Sequence, residues 1–106
     1  GAIVQGIGGA MFEECLYDEN GRLMNGSMAD YLVPMSGEMP DIEVAHVQTP
    51  TRSSQLGAKG AGEAGTAGAP AAVMNAINDA LAPLKAEVWN QPITPEKVLR
   101  ALGKVA

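Results

Sequence analysis

The sequence has little of what lets a short chain hold itself together. Its one cysteine, Cys15, allows neither an internal disulfide nor a cysteine zinc cluster, which excludes a disulfide-stapled secreted mini-protein. Only Phe12, Tyr17, Tyr31 and Trp89 are aromatic, and 17 of the apolar residues are alanine. Basic residues are scarce as well: 7 Lys and Arg stand against 12 Asp and Glu, for a net charge of −5. Nucleic-acid binding needs a basic face to neutralise phosphate, so that class is set aside. An anionic membrane surface is set aside for the same reason. No apolar run approaches the roughly 18–20 residues of a membrane span. The opening Gly1-Ala2-Ile3-Val4-Gln5-Gly6 carries neither an initiator Met nor a charged n-region. No signal peptide is read there, and a cytoplasmic location is expected.

Glycine and proline, by contrast, are plentiful, at 13 and 7 of 106 residues. A chain of this length allows one domain, and small domains that fold alone lean on dense large side chains or covalent staples. This chain has neither. The shortfall predicts that something outside it contributes to its burial. Residues 1–106 therefore read as a single fragment, entered in mid-element, of a larger domain.

Along the chain, Ile3, Ile7, Ala10 and Met11 fall near helical spacing, predicting a helix within 1–15 whose first half is loosened by Gly6, Gly8 and Gly9. Asn20-Gly21 between Leu16-Tyr17 and Leu23-Met24 is a hairpin signal. Residues 27–33 and the alternating 42–49 read as strands ended by Pro34 and Pro50. From Gly57 to Ala72, 12 of 16 residues are Gly or Ala. This stretch is either a flexible linker or a tightly packed loop. Helical spacing resumes at Pro70, with Val73, Ala76, Ile77, Ala80 and Leu81 on one stripe and Pro83 at its end. Thr94 and Pro95 open a last helix as N-cap and first helical residue, with Val98, Leu99, Leu102 and Val105 on its apolar face. The expected architecture is α+β: an N-terminal helix, a small antiparallel sheet, a glycine-rich loop and two C-terminal helices.

Two segments could carry chemistry. Gly60, Gly62 and Gly65 match a G-x-G-x-x-G spacing, but no strand–turn–helix unit surrounds them, and a dinucleotide fold is not supported. More telling is Glu63, flanked by small residues with only Lys59 charged nearby. Small neighbours let a bulky ligand approach the backbone. They also leave a carboxylate in a narrow pocket with little water, where desolvation makes such a group a usable general base. The alternative is that Glu63 simply begins the next helix, whose dipole favours an anion. The second segment is Gln5-Gly6-Ile7-Gly8-Gly9. Exposed N–H groups at a glycine-rich helix start bind phosphate, while close helix packing explains the same glycines without a ligand. The lone His46 reads as a packed or surface residue rather than a catalyst, and the lone Cys15 as a core or inert thiol.

Several of these residues recur together in order. Gln5-Gly6-Ile7-Gly8-Gly9-Ala10 is followed by Asn25-Gly26-Ser27, Asp30-Tyr31-Leu32-Val33-Pro34 and Met39-Pro40-Asp41-Ile42. Then come Leu56-Gly57-Ala58-Lys59-Gly60-Ala61-Gly62-Glu63-Ala64-Gly65 and Pro92-Ile93-Thr94-Pro95-Glu96-Lys97-Val98. The series resembles the C-terminal end of the molybdenum-binding large subunit of the xanthine dehydrogenase, aldehyde oxidase and carbon monoxide dehydrogenase family. The resemblance covers nearly the whole chain, and Lys-Gly-x-Gly-Glu is its most specific part. It implies an oxidoreductase with a molybdenum–molybdopterin cofactor in the cytosine dinucleotide form, and electron transfer through 2Fe-2S and FAD subunits. The remainder of the large subunit would complete the site. Glu63 would be the active-site base, taking a proton from a metal-bound hydroxyl that attacks a carbon of an aldehyde or N-heterocycle. Gln5, Gly6 and Gly8, and Lys59, Gly60, Ala61 and Gly62, would lie against the cofactor. No residue of the chain is expected to ligate the metal. Ser53-Ser54-Gln55 stands where family members often carry Asn-Pro, which leaves the substrate open. A non-catalytic fragment or subunit-interaction module is the competing expectation.

Overall fold

The computed structural model describes residues 1–106. Three α-helices form: α1 over Ala2–Met11, α2 over Ala64–Leu81 and α3 over Pro95–Ala101. Short 3-10 turns lie at Ser36–Glu38 and Ala82–Leu84. None of the helices is long and apolar enough to cross a membrane.

The expected antiparallel sheet is absent, and the α+β assignment is corrected accordingly: the chain is 39% helical and 2% strand. The hairpin signal yields one isolated antiparallel bridge, Tyr17 to Leu23. Its turn is local chemistry. The Asp18 carboxylate accepts from the N–H groups of Asn20 and Arg22, each at 2.9 Å, and Gly21 takes φ +79°. Asn25 clamps its base by accepting from Leu16 N–H and donating to the Glu14 carbonyl. Residues 27–33 do not extend, because Ser27 turns the chain: its carbonyl accepts from Asp30 and Tyr31 N–H and its hydroxyl donates to Asp30. Residues 42–49 are unbent, but none of their backbone groups hydrogen-bonds within the chain.

The α2 helix begins at Ala64, six residues before Pro70, which lies inside it rather than at its first turn. Proline deletes one internal hydrogen bond at a cost of about 3 kcal/mol. Alanine-rich sequence and packing against α1 offset that cost. The crossing is close because it is made of glycines. A Cβ on Gly6 would stand 2.6 Å from Ala69 Cβ, and one on Gly65 would stand 2.9 Å from Ile3 Cγ1. Thr66 Oγ1 donates to the Ala2 carbonyl at 2.9 Å and pins the same ends together.

The core is small and sits at the other end of α2. Leu81, Val88 and Ile93 are buried, with Met74, Ile77, Ala86, Val98 and Leu102 packed around them. The expected N-cap holds, since Thr94 Oγ1 accepts from Lys97 N–H. Asn78, which helical spacing alone does not single out, joins α2 to the segment before α3. Its side chain exchanges two hydrogen bonds with the backbone of Val88, at 2.7 and 2.8 Å, and donates a third to Met74. Asn78→Ala leaves a buried N–H unpaired and is expected to cost about 2–3 kcal/mol. A lowered urea midpoint of the intact subunit, with unchanged slope, would show it; an unchanged midpoint would refute it.

Only 9 of 106 residues are buried. The radius of gyration is 17.4 Å, against about 13 Å for a compact domain of this length.

Candidate cofactor-facing site

The glycine-rich loop runs from Gly57 into the start of α2. Gly57 opens it with φ +67°, close over Pro50, and the Thr51 N–H donates to its carbonyl. Between Ala58 and Glu63 no backbone N–H finds a partner in the chain. The positions a Cβ would occupy on Gly60 and Gly62 have nothing within 4 Å. At Gly60 and Gly62 the loop thus presents free donors without side-chain bulk, and it leads into the N-terminus of an 18-residue helix. That combination favours anionic ligands.

Glu63 is the residue immediately before α2, with φ −95° and ψ −7°. Its carboxylate is exposed and caps no helix N–H. The only ion pair in the chain is Arg100 with Glu96, so Lys59 does not neutralise it. Lys59 instead donates to Thr49 Oγ1 at 2.5 Å, tying the loop to the arm at 42–50.

Loop, arm and the start of α1 enclose an open cleft of about 1020 Å³. Lys59, Gly60 and Ala61 line it, together with Ala2, Ile3 and His46. Glu63, Gly62 and Gln5 are outside that lining. Gln5 is exposed on α1. Gly6 and Gly8 are buried under the chain's own groups, Gly6 under Ala69 and Pro70, and Gly8 under Pro34 and the Glu13 carboxylate. Tyr31 donates to that carboxylate at 3.1 Å. Loss of water around the phenol, reinforced by the hydrogen bond and charge of Glu13, raises the Tyr31 pKa above its ordinary value. Sequence reasoning missed His46 and Thr49 as cleft residues. The available signal was their position on the arm directly ahead of the loop.

Known proteins resemble this chain along nearly its whole length. Residues 1–40 match the family model described as a molybdopterin cofactor-binding domain. A nicotine 6-hydroxylase large subunit from Paenarthrobacter nicotinovorans is 46% identical over 101 residues, 95% of this chain and 12% of its own length. The aldehyde oxidoreductase molybdenum-binding subunit PaoC of Escherichia coli K12 is 38% identical over 99% of this chain and 14% of its own. The chain matches a C-terminal-type segment of molybdenum-binding large subunits. Solved family structures carry the same fold through this segment. The crystal structure of quinoline 2-oxidoreductase from Pseudomonas putida 86 matches all of the chain with a TM-score of 0.90 and 42% identity, over 14% of its own length. A Cu,Mo-CO dehydrogenase matches with a TM-score of 0.84 and 33% identity. The chain spans about an eighth of the curated large subunits it matches.

The residues present fit a molybdopterin cofactor. The Ala58–Glu63 amides are unpaired donors, and the open space beside Gly60 and Gly62 admits a bulky group at the backbone. No group of three or more His, Cys, Asp or Glu residues is placed to hold a metal ion.

Proposed function

We propose that this chain supplies one wall of the active site of a molybdenum hydroxylase, and that Glu63 is its general base. One observation carries the reading: an open glycine loop with unpaired amides ends in a carboxylate that the chain's own fold leaves unengaged. The cofactor, in its cytosine dinucleotide form, would supply the two-electron redox chemistry when bound. Amides of Lys59, Gly60, Ala61 and Gly62 would orient its anionic portions, and the Gln5 amide would donate to or accept from its polar edge. Gly6 and Gly8 would contribute by letting α1 settle against α2 and Pro34. Glu63 would take the proton released as oxygen is delivered to an aldehyde or N-heterocyclic carbon. Positioned bases of this kind contribute about 10²–10⁴-fold to rate. The rest of the large subunit and 2Fe-2S and FAD subunits complete the proposed assembly, which we place in the cytoplasm.

The test is isolation of the full large subunit with its partners from the native source. Stoichiometric molybdenum, iron and flavin, with oxidation of an aldehyde or N-heterocycle, are the expected results. A complete subunit that carries no molybdenum would overturn the reading in favour of a non-catalytic module.

A further inference from the structure

We propose that the Lys59 side chain is a positioning group, not a cofactor contact: by closing residues 49–59 into a loop on Thr49, its ammonium fixes the place of the Gly60–Gly62 amides and Glu63. The inference rests on the cofactor-facing reading above. It assigns to the Lys59 ammonium and the Thr49 hydroxyl a role that touches neither cofactor nor substrate.

Lys59 is the only charged residue between Arg52 and Glu63. At the mouth of a glycine loop an ammonium ordinarily serves as a point charge for phosphate. Here it is turned back on the chain. Lys59 Nζ donates to Thr49 Oγ1, ten residues earlier, and both residues line the cleft. Compact loops of about 6–16 residues whose ends meet are packed by their own side chains, and residues 49–59 fit that description. Within them the Thr51 N–H donates to the Gly57 carbonyl at 3.0 Å, and the Gly57 N–H to the Ser54 carbonyl at 3.2 Å. Ser54 Oγ donates to the Ala58 carbonyl at 3.1 Å. Gly57, Ala58 and Lys59 are thus each tied to a residue between 49 and 54.

Beyond Lys59 the ties stop. The next hydrogen bond along the chain runs from the Ala64 N–H to the Ala61 carbonyl, at 3.3 Å. Nothing stands within 4 Å of a Cβ position on Gly60 or Gly62. Glycine backbone is the freest to wander, so the place of this stretch is set from its two ends. One end is α2, pinned to α1 through Gly65 on Ile3 and Thr66 on Ala2. The other end is the Lys59–Thr49 contact. A misplacement of about 1 Å at an active site costs on the order of 10²-fold in rate, so slack at either end reaches the chemistry.

Three variants of the assembled enzyme test this. Thr49→Val keeps the side chain's shape and removes its hydroxyl, Thr49→Ser keeps the hydroxyl, and Lys59→Met keeps the stem and removes the ammonium. Thr49 and Lys59 are both exposed, so none of the three leaves a buried group unpaired. Thr49→Val and Lys59→Met are each expected to lower kcat about tenfold, with KM and molybdenum content unchanged. Both should also speed hydrogen–deuterium exchange at the Gly60–Gly62 amides at least about fivefold. Thr49→Ser should stay within about twofold of wild type on both measures, and the double variant should fall no lower than either single one, because the two groups act as a unit. Losses that multiply to about a hundredfold in the double variant would overturn the proposal. So would unchanged exchange and kcat in Thr49→Val. Molybdenum lost from Lys59→Met but retained by Thr49→Val would return the ammonium to the cofactor and overturn it as well. The exchange measurement needs neither molybdenum nor turnover, so failure of the tether is distinct from failure of the catalytic reading, which shows in the wild-type enzyme as missing molybdenum.

Discussion

Glu63→Gln in the assembled enzyme is expected to lower kcat by about 10²–10⁴-fold while molybdenum content stays at the wild-type level. The substitution keeps the side chain's size and removes its capacity to accept a proton. It should leave the fold intact, because Glu63 is exposed, caps no N–H and forms no ion pair within the chain. The variant also separates the two explanations for an acidic residue at this position. An anion at a helix N-terminus is worth about 0.3–1 kcal/mol of stability. If that were its whole role, Glu63→Gln would lower the unfolding midpoint slightly and leave turnover alone. Turnover within twofold of wild type, with cofactor bound, would remove Glu63 from the mechanism. A parallel loss of molybdenum and turnover would point to a binding role for the carboxylate instead.

The parts of the fold legible in the sequence were those governed by local rules. Thr94 and Pro95 specify a helix start in any surroundings, and the last helix begins there. The α1 spacing gave a helix, shorter than the 1–15 window because Phe12 leaves helical geometry. The expected sheet does not form. Alternation over 42–49 reports that both faces of an extended segment are apolar; it says nothing of whether another strand lies alongside within the same 106 residues. At 27–33 a main-chain turn decided the matter: the Ser27 carbonyl accepts from Asp30 and Tyr31 N–H. Pro70 misplaced the start of α2 because proline suits a first turn, whereas here packing on Gly6 carries the helix through it. The candidate site was legible as a motif and only partly as geometry. Small residues around Glu63 suggested a dry pocket, yet within this chain the carboxylate is exposed. A dry pocket around Glu63 would need walls from outside this chain, because the chain's own neighbours leave the carboxylate exposed.

Gly6→Val is expected to destabilise the intact subunit by about 3 kcal/mol, whereas Gly9→Ala, three residues along the same helix, should stabilise it by up to about 1 kcal/mol. Both replacements relieve the entropy cost of glycine in a helix, and for that reason alone both should help. Geometry separates them. A Cβ on Gly6 meets Ala69 Cβ at 2.6 Å, Pro70 Cδ at 3.0 Å and the Thr66 carbonyl oxygen at 3.3 Å, while one on Gly9 meets nothing within 4 Å. Ala69 and Pro70 have no flexible end to swing aside, so α1 would have to move off α2. The displacement reaches the site. The same crossing carries Gly65 on Ile3 and Thr66 on Ala2, two and three residues from Glu63. Gly6→Val should accordingly lower kcat as well as the unfolding midpoint, and Gly9→Ala should leave kcat unchanged. Measuring both quantities on both variants decides the matter. Equal midpoints for the two would mean that the α1–α2 crossing is loose, and that the glycines of α1 serve something other than close packing.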